Sequence, residues 1–162
     1  GENYVATAEQ ADAMELGKLY AIQTTASTTE GAQYVYCKKL VKNETGERPL
    51  YTGYHSTVSA FYYGTLIVGD QFDGNFDGYS ALDTNIPLSS LKEPTAFDSP
   101  TTFAVASVIP GWTAALQLMR AGERWMLYIP WQSAYGSSGN NDGTIPGYTA
   151  LTFDLLLERI VE

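Results

Sequence analysis

The chain has 162 residues, enough for one domain that buries a core without disulfide or metal staples. Only 9 Lys and Arg face 18 Asp and Glu, a formal net charge of −9, and no stretch gathers the basic residues into a patch; this disfavours nucleic acid and anionic membrane surfaces as partners. The single cysteine, Cys37, has no internal disulfide partner and reads as a small buried apolar residue, and no apolar run approaches the ~20 residues of a membrane-spanning helix.

Residues 1–30 are polar and rich in Ala and Thr, and read as an N-terminal extension. Within "AEQADAMELGKLYAIQT", Met14, Leu16, Leu19 and Ile22 fall near helical spacing, which predicts a short helix. "TTASTTEG" reads as a linker. From Gln33 the texture turns to strands. "QYVYCKKLV" is β-branched and aromatic. "HSTVSAFYYGTLIV" alternates, so that Val58, Ala60, Tyr62, Gly64 and Leu66 share one face. "RWMLYIP" follows the same texture. In "ALTFDLLLERIV", Leu151, Phe153, Leu155 and Leu157 share a face while Thr152, Asp154 and Glu158 point away. Strands without intervening helices predict an antiparallel sheet.

One helix is predicted after Pro110. In "GWTAALQLMRAG", Trp112, Ala115, Leu116 and Met119 form an apolar stripe, and Gly122 stands where a terminating glycine belongs. One helix on one antiparallel sheet is an α+β domain. Residues 74–99 keep no steady period. They are rich in Gly, Asn, Asp, Ser and Pro, yet Phe76, Tyr79, Leu82, Ile86, Leu88 and Leu91 argue against simple disorder.

Several chemistries find little support. The only histidine is His55, in a turn-like "YHST", so a serine or cysteine hydrolase lacks an evident base. "GSSG" at 136–139 lacks the spacing of a nucleophile elbow. One Cys and one His are too few for zinc. No phosphate-binding glycine motif is present. "NET" at 43–45 is a formal glycosylation sequon. Asp73, Asn75, Asp77 and Gly78 spell the start of a calcium loop. Counted from Asp73, however, the position of the bidentate Glu holds Thr84, and a strand rather than a helix leads in. Looser calcium binding by the 74–99 segment stays open as a lesser reading.

The segment "VIPGWTAALQLMRAGERWMLYIPWQSAYG" strongly resembles the FKBP-type peptidyl-prolyl cis-trans isomerases, and is most similar to the bacterial macrophage infectivity potentiator branch. "FYYGTLIVGDQFD" is similar to the family's Y-x-G-x-L-x-x-G-x-x-F-D, and "IPGYTALTFDLLL" to its closing strand. These motifs, in family order, cover residues 31–162. The resemblance implies an antiparallel sheet wrapped around one short helix, with 74–99 as a long insertion after the "FD" strand.

Motif by motif, the resemblance assigns a prolyl pocket. Tyr62, Asp73 and Tyr135 take the catalytic roles: Tyr135 offers its hydroxyl to the peptide carbonyl, and Asp73 sits at the pocket edge beside Tyr62. Phe72, Val108, Ile109, Trp112, Ile145 and Phe153 bind substrate, with Trp112 as the floor under the proline ring. Read without the family, Trp112, Ile109 and Phe153 are core residues of any such fold, and Tyr62 is equally well explained by packing. Tyr135 and Asp73 say more, because packing does not ask for them. The implied partners are proline-containing polypeptides and the family's macrolide inhibitors; the implied cofactor set is none.

Two departures qualify the match. Thr101 and Thr102 follow Pro100 where the family often has an aromatic, which predicts that part of one pocket wall is either missing or supplied by the insertion. The flap "GSSGNNDGTIPG" is polar where some members carry histidine and an apolar residue. An active isomerase of unfolded or exported proteins is the leading expectation. A module that binds proline segments or chaperones chains without catalysis is the alternative. A periplasmic or outer-membrane lipoprotein setting follows from the same likeness, and a monomer is expected because a long helical dimerisation arm does not fit within 30 residues.

Overall fold

The computed structural model describes residues 3–24, 31–66, 71–77 and 88–162. Eight strands form one sheet: β1 (Tyr4–Val5), β2 (Leu19–Gln23), β3 (Tyr34–Val41), β4 (Thr57–Leu66), β5 (Gln71–Gly74), β6 (Thr101–Ala104), β7 (Arg124–Ile129) and β8 (Leu151–Ile160). Two helices accompany them, α1 (Ala8–Asp12) and α2 (Pro110–Leu116). The strands run in the order β1-β2-β3-β7-β8-β4-β5, and β6 also pairs with β4. Since β8 takes one edge of β4, β5 and β6 share the other.

The sheet is antiparallel with one correction: β1 and β2 pair in parallel, Tyr4 opposite Ala21 and Val5 opposite Ile22. A parallel pair needs a crossover, and α1 lies in it. The helical spacing over residues 14–22 is also overturned. The helix is Ala8–Asp12, and Leu19–Gln23 is a strand in which Tyr20 and Ile22 are buried while Leu19 lies exposed. Period two won because the adjacent β3 offers a full ladder, from Leu19 opposite Lys38 to Gln23 opposite Tyr34. Helix α1 opens on a reciprocal cap: the Gln10 N–H donates to Thr7 Oγ1 at 3.2 Å, and the Thr7 N–H to Gln10 Oε1 at 3.1 Å.

Helix α2 lies against one face of the sheet, and Gly111 through Leu116 are all buried. Pro110 occupies its first turn, where a missing N–H costs nothing. A Cβ on Gly111 would come within 2.7 Å of Ile129, so only glycine lets the helix sit this close to β7. The helix ends at Leu116, shorter than the stripe implies, although Met119 is buried beyond it. Gly122, at φ +91°, belongs to the turn into β7 and is not the helix cap. The main core joins α2 to one face of β2, β3, β4, β7 and β8.

The other sheet face has its own cluster: Leu40, Tyr63, Phe76 and Met126, with Phe61, Leu91 and Tyr128 against it. Both faces of β4 are therefore covered, as its nearly continuous burial shows. On this second face the buried Arg124 and Asp154 form a two-bond pair, Nε to Oδ1 at 2.8 Å and Nη2 to Oδ2 at 2.6 Å. Arg124 also donates to Glu93 Oε1 at 3.1 Å and to the Lys92 carbonyl, and its guanidinium lies 5.7 Å from the Phe76 ring centroid. These contacts tie the described part of the 74–99 segment to the sheet. Phe76 therefore packs away from the predicted pocket; Tyr79, Leu82 and Ile86 lie outside the described residues.

Two further ionic clusters fasten the N-terminal part. The buried Lys39 donates to the Ala11 carbonyl at 2.6 Å and pairs with the buried Glu123 at 3.4 Å. Burial pulls the Lys39 ammonium below its ordinary pKa, against the pull of Glu123. Asp12 takes Arg120 through Nε and Nη2, both at 2.9 Å, and also Arg48. Hydrogen bonds from Arg120 and then Arg48 hold its carboxyl well below the usual carboxylate range.

Two outcomes follow. Arg124→Met strands the Asp154 carboxylate in the interior and is expected to cost about 3–5 kcal/mol in denaturant unfolding; adding Asp154→Leu should recover most of it, and a neutral single variant would remove the pair from the account. Asp12 carries a depressed folded-state pKa, so its contribution is fully present above the unfolded value of about 3.9 and lost as pH falls below it. Asp12→Asn should flatten the stability profile in that acid window; an unchanged slope would contradict the assignment.

Candidate active site

A cavity of about 300 Å³ opens between α2, β4, β5, β6 and the loop after β7, lined by Tyr62, Phe72, Asp73, Phe103, Ser107, Val108, Ile109, Trp112, Tyr135 and Phe153. Its floor is a set of rings meeting edge to face around Trp112. Centroid separations from Trp112 are 5.3 Å to Tyr62, 5.0 Å to Phe103 and 5.2 Å to Phe153, at interplanar angles of 82°, 68° and 84°. Phe72 stands edge-on to Phe153 at 5.5 Å, and Tyr62 to Phe103 at 5.4 Å. Edge-to-face geometry suits the ring quadrupoles and leaves a concave, apolar hollow. Gly64 makes it possible: a Cβ there would stand 2.7 Å from Phe153 and 2.8 Å from Phe72. The Trp112 indole N–H is buried and meets no acceptor among the described residues.

Apart from Ser107 and the Trp112 N–H, the polar groups of the cavity are those of Tyr62, Asp73 and Tyr135. Burial foremost, then the neighbouring Asp73 carboxylate, pushes the pKa of the Tyr62 hydroxyl above the ordinary phenol value. Tyr135 is shifted the same way by burial, then by the charges of Asp73 and Asp142. Both phenols therefore keep their protons and remain donors at physiological pH. Of the residues lining the cavity, only Asp73 is charged.

Local structure explains where each group stands. Tyr62 lies on the inward face of β4, set by alternation. Its backbone is fixed by Asn75: the Tyr62 N–H donates to Asn75 Oδ1 at 2.9 Å, and Asn75 Nδ2 donates to the Ala60 carbonyl at 2.9 Å and to Thr101 Oγ1 at 3.0 Å. Val108 and Ile109 enter between the turn Val105–Ser107 and α2, which Thr113 Oγ1 joins by donating to the Val105 carbonyl at 2.7 Å. Tyr135 follows the turn Trp131–Ser133 and precedes Gly136, at φ +66°.

The flap after Tyr135 is held by its own polar groups. The Ile145 N–H donates to Asn140 Oδ1 at 2.8 Å, the Asn140 N–H to the Ile145 carbonyl at 3.0 Å, and Asp142 Oδ1 accepts from the Thr144 N–H and hydroxyl at 3.0 and 2.7 Å. Polarity here builds a compact loop rather than an open one.

Thus Tyr62, Phe72, Asp73, Val108, Ile109, Trp112, Tyr135 and Phe153 are brought together at one cavity, and Ile145 is not among its lining residues. Ile145 is 2% exposed and belongs to the core beneath the flap. Phe103 and Ser107 were not foreseen as lining residues. Phe103 supplies the wall that Thr101 and Thr102 seemed to leave open, and the signal was available: Phe103 is two residues beyond Thr101 and so on the same face of β6. Nothing in the sequence marks Ser107 beyond its place before Val108.

The remaining motifs have other uses. Asn75 serves the β4 backbone and Asp73 lines the cavity, so the calcium-like spelling is divided between two tasks; Gly78 lies outside the described residues. Among the described residues, no group of three His, Cys, Asp or Glu side chains is placed to hold a metal ion. Asn43 of the sequon donates through Nδ2 to the Ala121 carbonyl at 2.7 Å, which commits its amide to the fold. His55 is stacked on Tyr51 at 4.8 Å. Cys37 is buried, which pushes its thiol up to about 12.

Comparison with known proteins agrees with this geometry. The sequence model of the FKBP-type peptidyl-prolyl cis-trans isomerases matches residues 52–158. The chain is 52% identical over 76 residues to the macrophage infectivity potentiator of Trypanosoma cruzi, covering 43% of this chain and 38% of that protein. It is 34% identical over 134 residues to the FKBP-type isomerase FkpA of Aeromonas hydrophila, covering 83% of this chain and 40% of that one. It is 40% identical over 106 residues to the outer membrane protein MIP of Legionella longbeachae, covering 65% and 34%. The chain therefore spans two-fifths or less of the length of these relatives. Among solved structures, a peptidyl-prolyl cis-trans isomerase from Pseudomonas syringae superposes with a TM-score of 0.59 at 27% identity, covering 86% of this chain and 81% of that one. FkpA from Escherichia coli gives 0.58 at 28%, covering 85% and 51%. The chain belongs to the FKBP-type peptidyl-prolyl cis-trans isomerase family.

Proposed function

We propose that this chain catalyses cis–trans rotation about X–Pro bonds in unfolded or exported polypeptides. The observation that carries the reading is the ring-floored cavity of about 300 Å³, edged by Tyr62, Asp73 and Tyr135. Rotation breaks no covalent bond; its barrier of roughly 18–20 kcal/mol is the loss of amide resonance. The planar amide is more charge-separated than the twisted one. An apolar cavity therefore penalises the planar ground state more than the transition state.

In this reading Trp112 underlies the proline ring, with Phe72, Phe103, Val108, Ile109 and Phe153 as walls. Tyr135 donates to the peptide carbonyl and so holds one side of the bond while the other turns. Asp73 orients the Tyr62 hydroxyl. A thousandfold acceleration needs about 4 kcal/mol, within reach of such a pocket and one or two hydrogen bonds. No step moves a proton or needs a cofactor. Macrolide inhibitors would occupy the same hollow. Phe103 removes the gap that favoured a module binding proline segments without turning them over. An exported, periplasmic or outer-membrane setting is part of the proposal, supported by the relative named an outer membrane protein.

A protease-free isomerisation assay on a short Phe-Pro peptide should show acceleration that Trp112→Ala reduces by about tenfold or more. Activity no greater than that of the Trp112→Ala control would falsify the reading. Because Tyr62 and Tyr135 hold their protons past the ordinary phenol value of about 10, kcat/KM should stay flat over roughly pH 6–9. A bell-shaped profile near neutrality would instead reveal acid–base chemistry and count against this mechanism.

A further inference from the structure

The flap that follows Tyr135 begins and ends on a pair of rings. Trp131 opens the turn before Tyr135, and Tyr148 stands just beyond the flap's far end. Their centroids are 4.8 Å apart at 71°, an edge-to-face contact. The backbone is laced at the same place: the Gly136 N–H donates to the Trp131 carbonyl at 2.9 Å, and the Tyr148 N–H to the Gly136 carbonyl at 2.9 Å. The Tyr135 carbonyl accepts from Gly139 at 3.2 Å. Gly136, the residue after Tyr135, is thus held from both sides.

Tyr148 is the sole non-glycine residue with positive φ among the described residues, at 60°. A bulky side chain there is strained, and glycine would adopt the conformation freely. Burial does not account for tyrosine, since the residue is 66% exposed. The contact with Trp131 does. Strain maintained at an exposed position, beside a residue that lines the cavity, points to a local geometric task.

We infer that Trp131 and Tyr148 form a clasp that closes the base of the flap and thereby fixes the direction of the Tyr135 hydroxyl. They are positioning residues: neither lines the cavity, and both act through Tyr135. The inference rests on the reading of Tyr135 as the donor to the substrate carbonyl.

Tyr148→Gly separates this role from simple stabilisation, because it removes the ring and relieves the strained φ together. The melting temperature should stay at or above that of the parent protein while kcat falls about tenfold with KM little changed, since the ring floor is intact. Trp131→Ala should lower kcat similarly, and Tyr148→Phe, which keeps the edge-to-face contact, should restore the parent rate. In a Tyr135→Phe background, Tyr148→Gly should cost nothing more. Full activity in Tyr148→Gly, a loss that tracks a fallen melting temperature, or an equal loss in the Tyr135→Phe background overturns the clasp. An inactive parent protein would instead overturn the isomerase reading, and the clasp with it.

Discussion

Strand β4 is the constraint on which the rest depends. It is hydrogen-bonded along one edge to β8 from Val58 to Leu66, and along the other to β5 and β6. With both edges paired, each side chain has a face assigned by alternation. Tyr62 turns to the ring floor; Tyr63, the next residue, turns to the cluster around Phe76. The ring-floored cavity and the anchor of the 74–99 segment therefore sit on successive residues of one strand. A one-residue slip would exchange them.

Charge is arranged around the same sheet. The chain has few basic residues, and four of those described are committed to buried or partly buried ion pairs: Lys39 with Glu123, Arg48 and Arg120 with Asp12, Arg124 with Asp154. Each pair bridges segments remote in sequence. Left over at the cavity is one carboxylate, Asp73, among residues otherwise neutral. An apolar hollow keeps its low polarity only if the cations that balance the fold are placed elsewhere.

Much of this was legible in the sequence, and the limits have physical causes. The inward faces of β4 and β8 were readable because alternation is local: Val58, Ala60 and Tyr62, and Leu151, Phe153 and Leu155, lie where period two puts them. Asp154 was rightly turned outward by that rule, yet it is fully buried, because what covers the outer face is contributed by a distant segment. Leu19–Gln23 carried two competing periods, and pairing with β3 decided between them. Gly122 marked a real positive φ but in a turn, since helices and turns ask for the same residue. Ile145 shares a motif with pocket residues of the family, but the packing beneath this flap takes it into the core.

Asn75 gives the edge of β4 a property beyond positioning Tyr62. The strand's second edge is served in three pieces: β6 pairs with residues 57–60, Asn75 bonds to Ala60 and Tyr62, and β5 pairs with residues 63–65. An unserved stretch there would offer extended chains a ladder to join, right beside the cavity. With one side-chain amide standing in for the missing strand, a visiting polypeptide finds no template for β-augmentation next to the cavity. Under the proposed activity, an extended substrate would then leave the cavity without having been captured as an added strand.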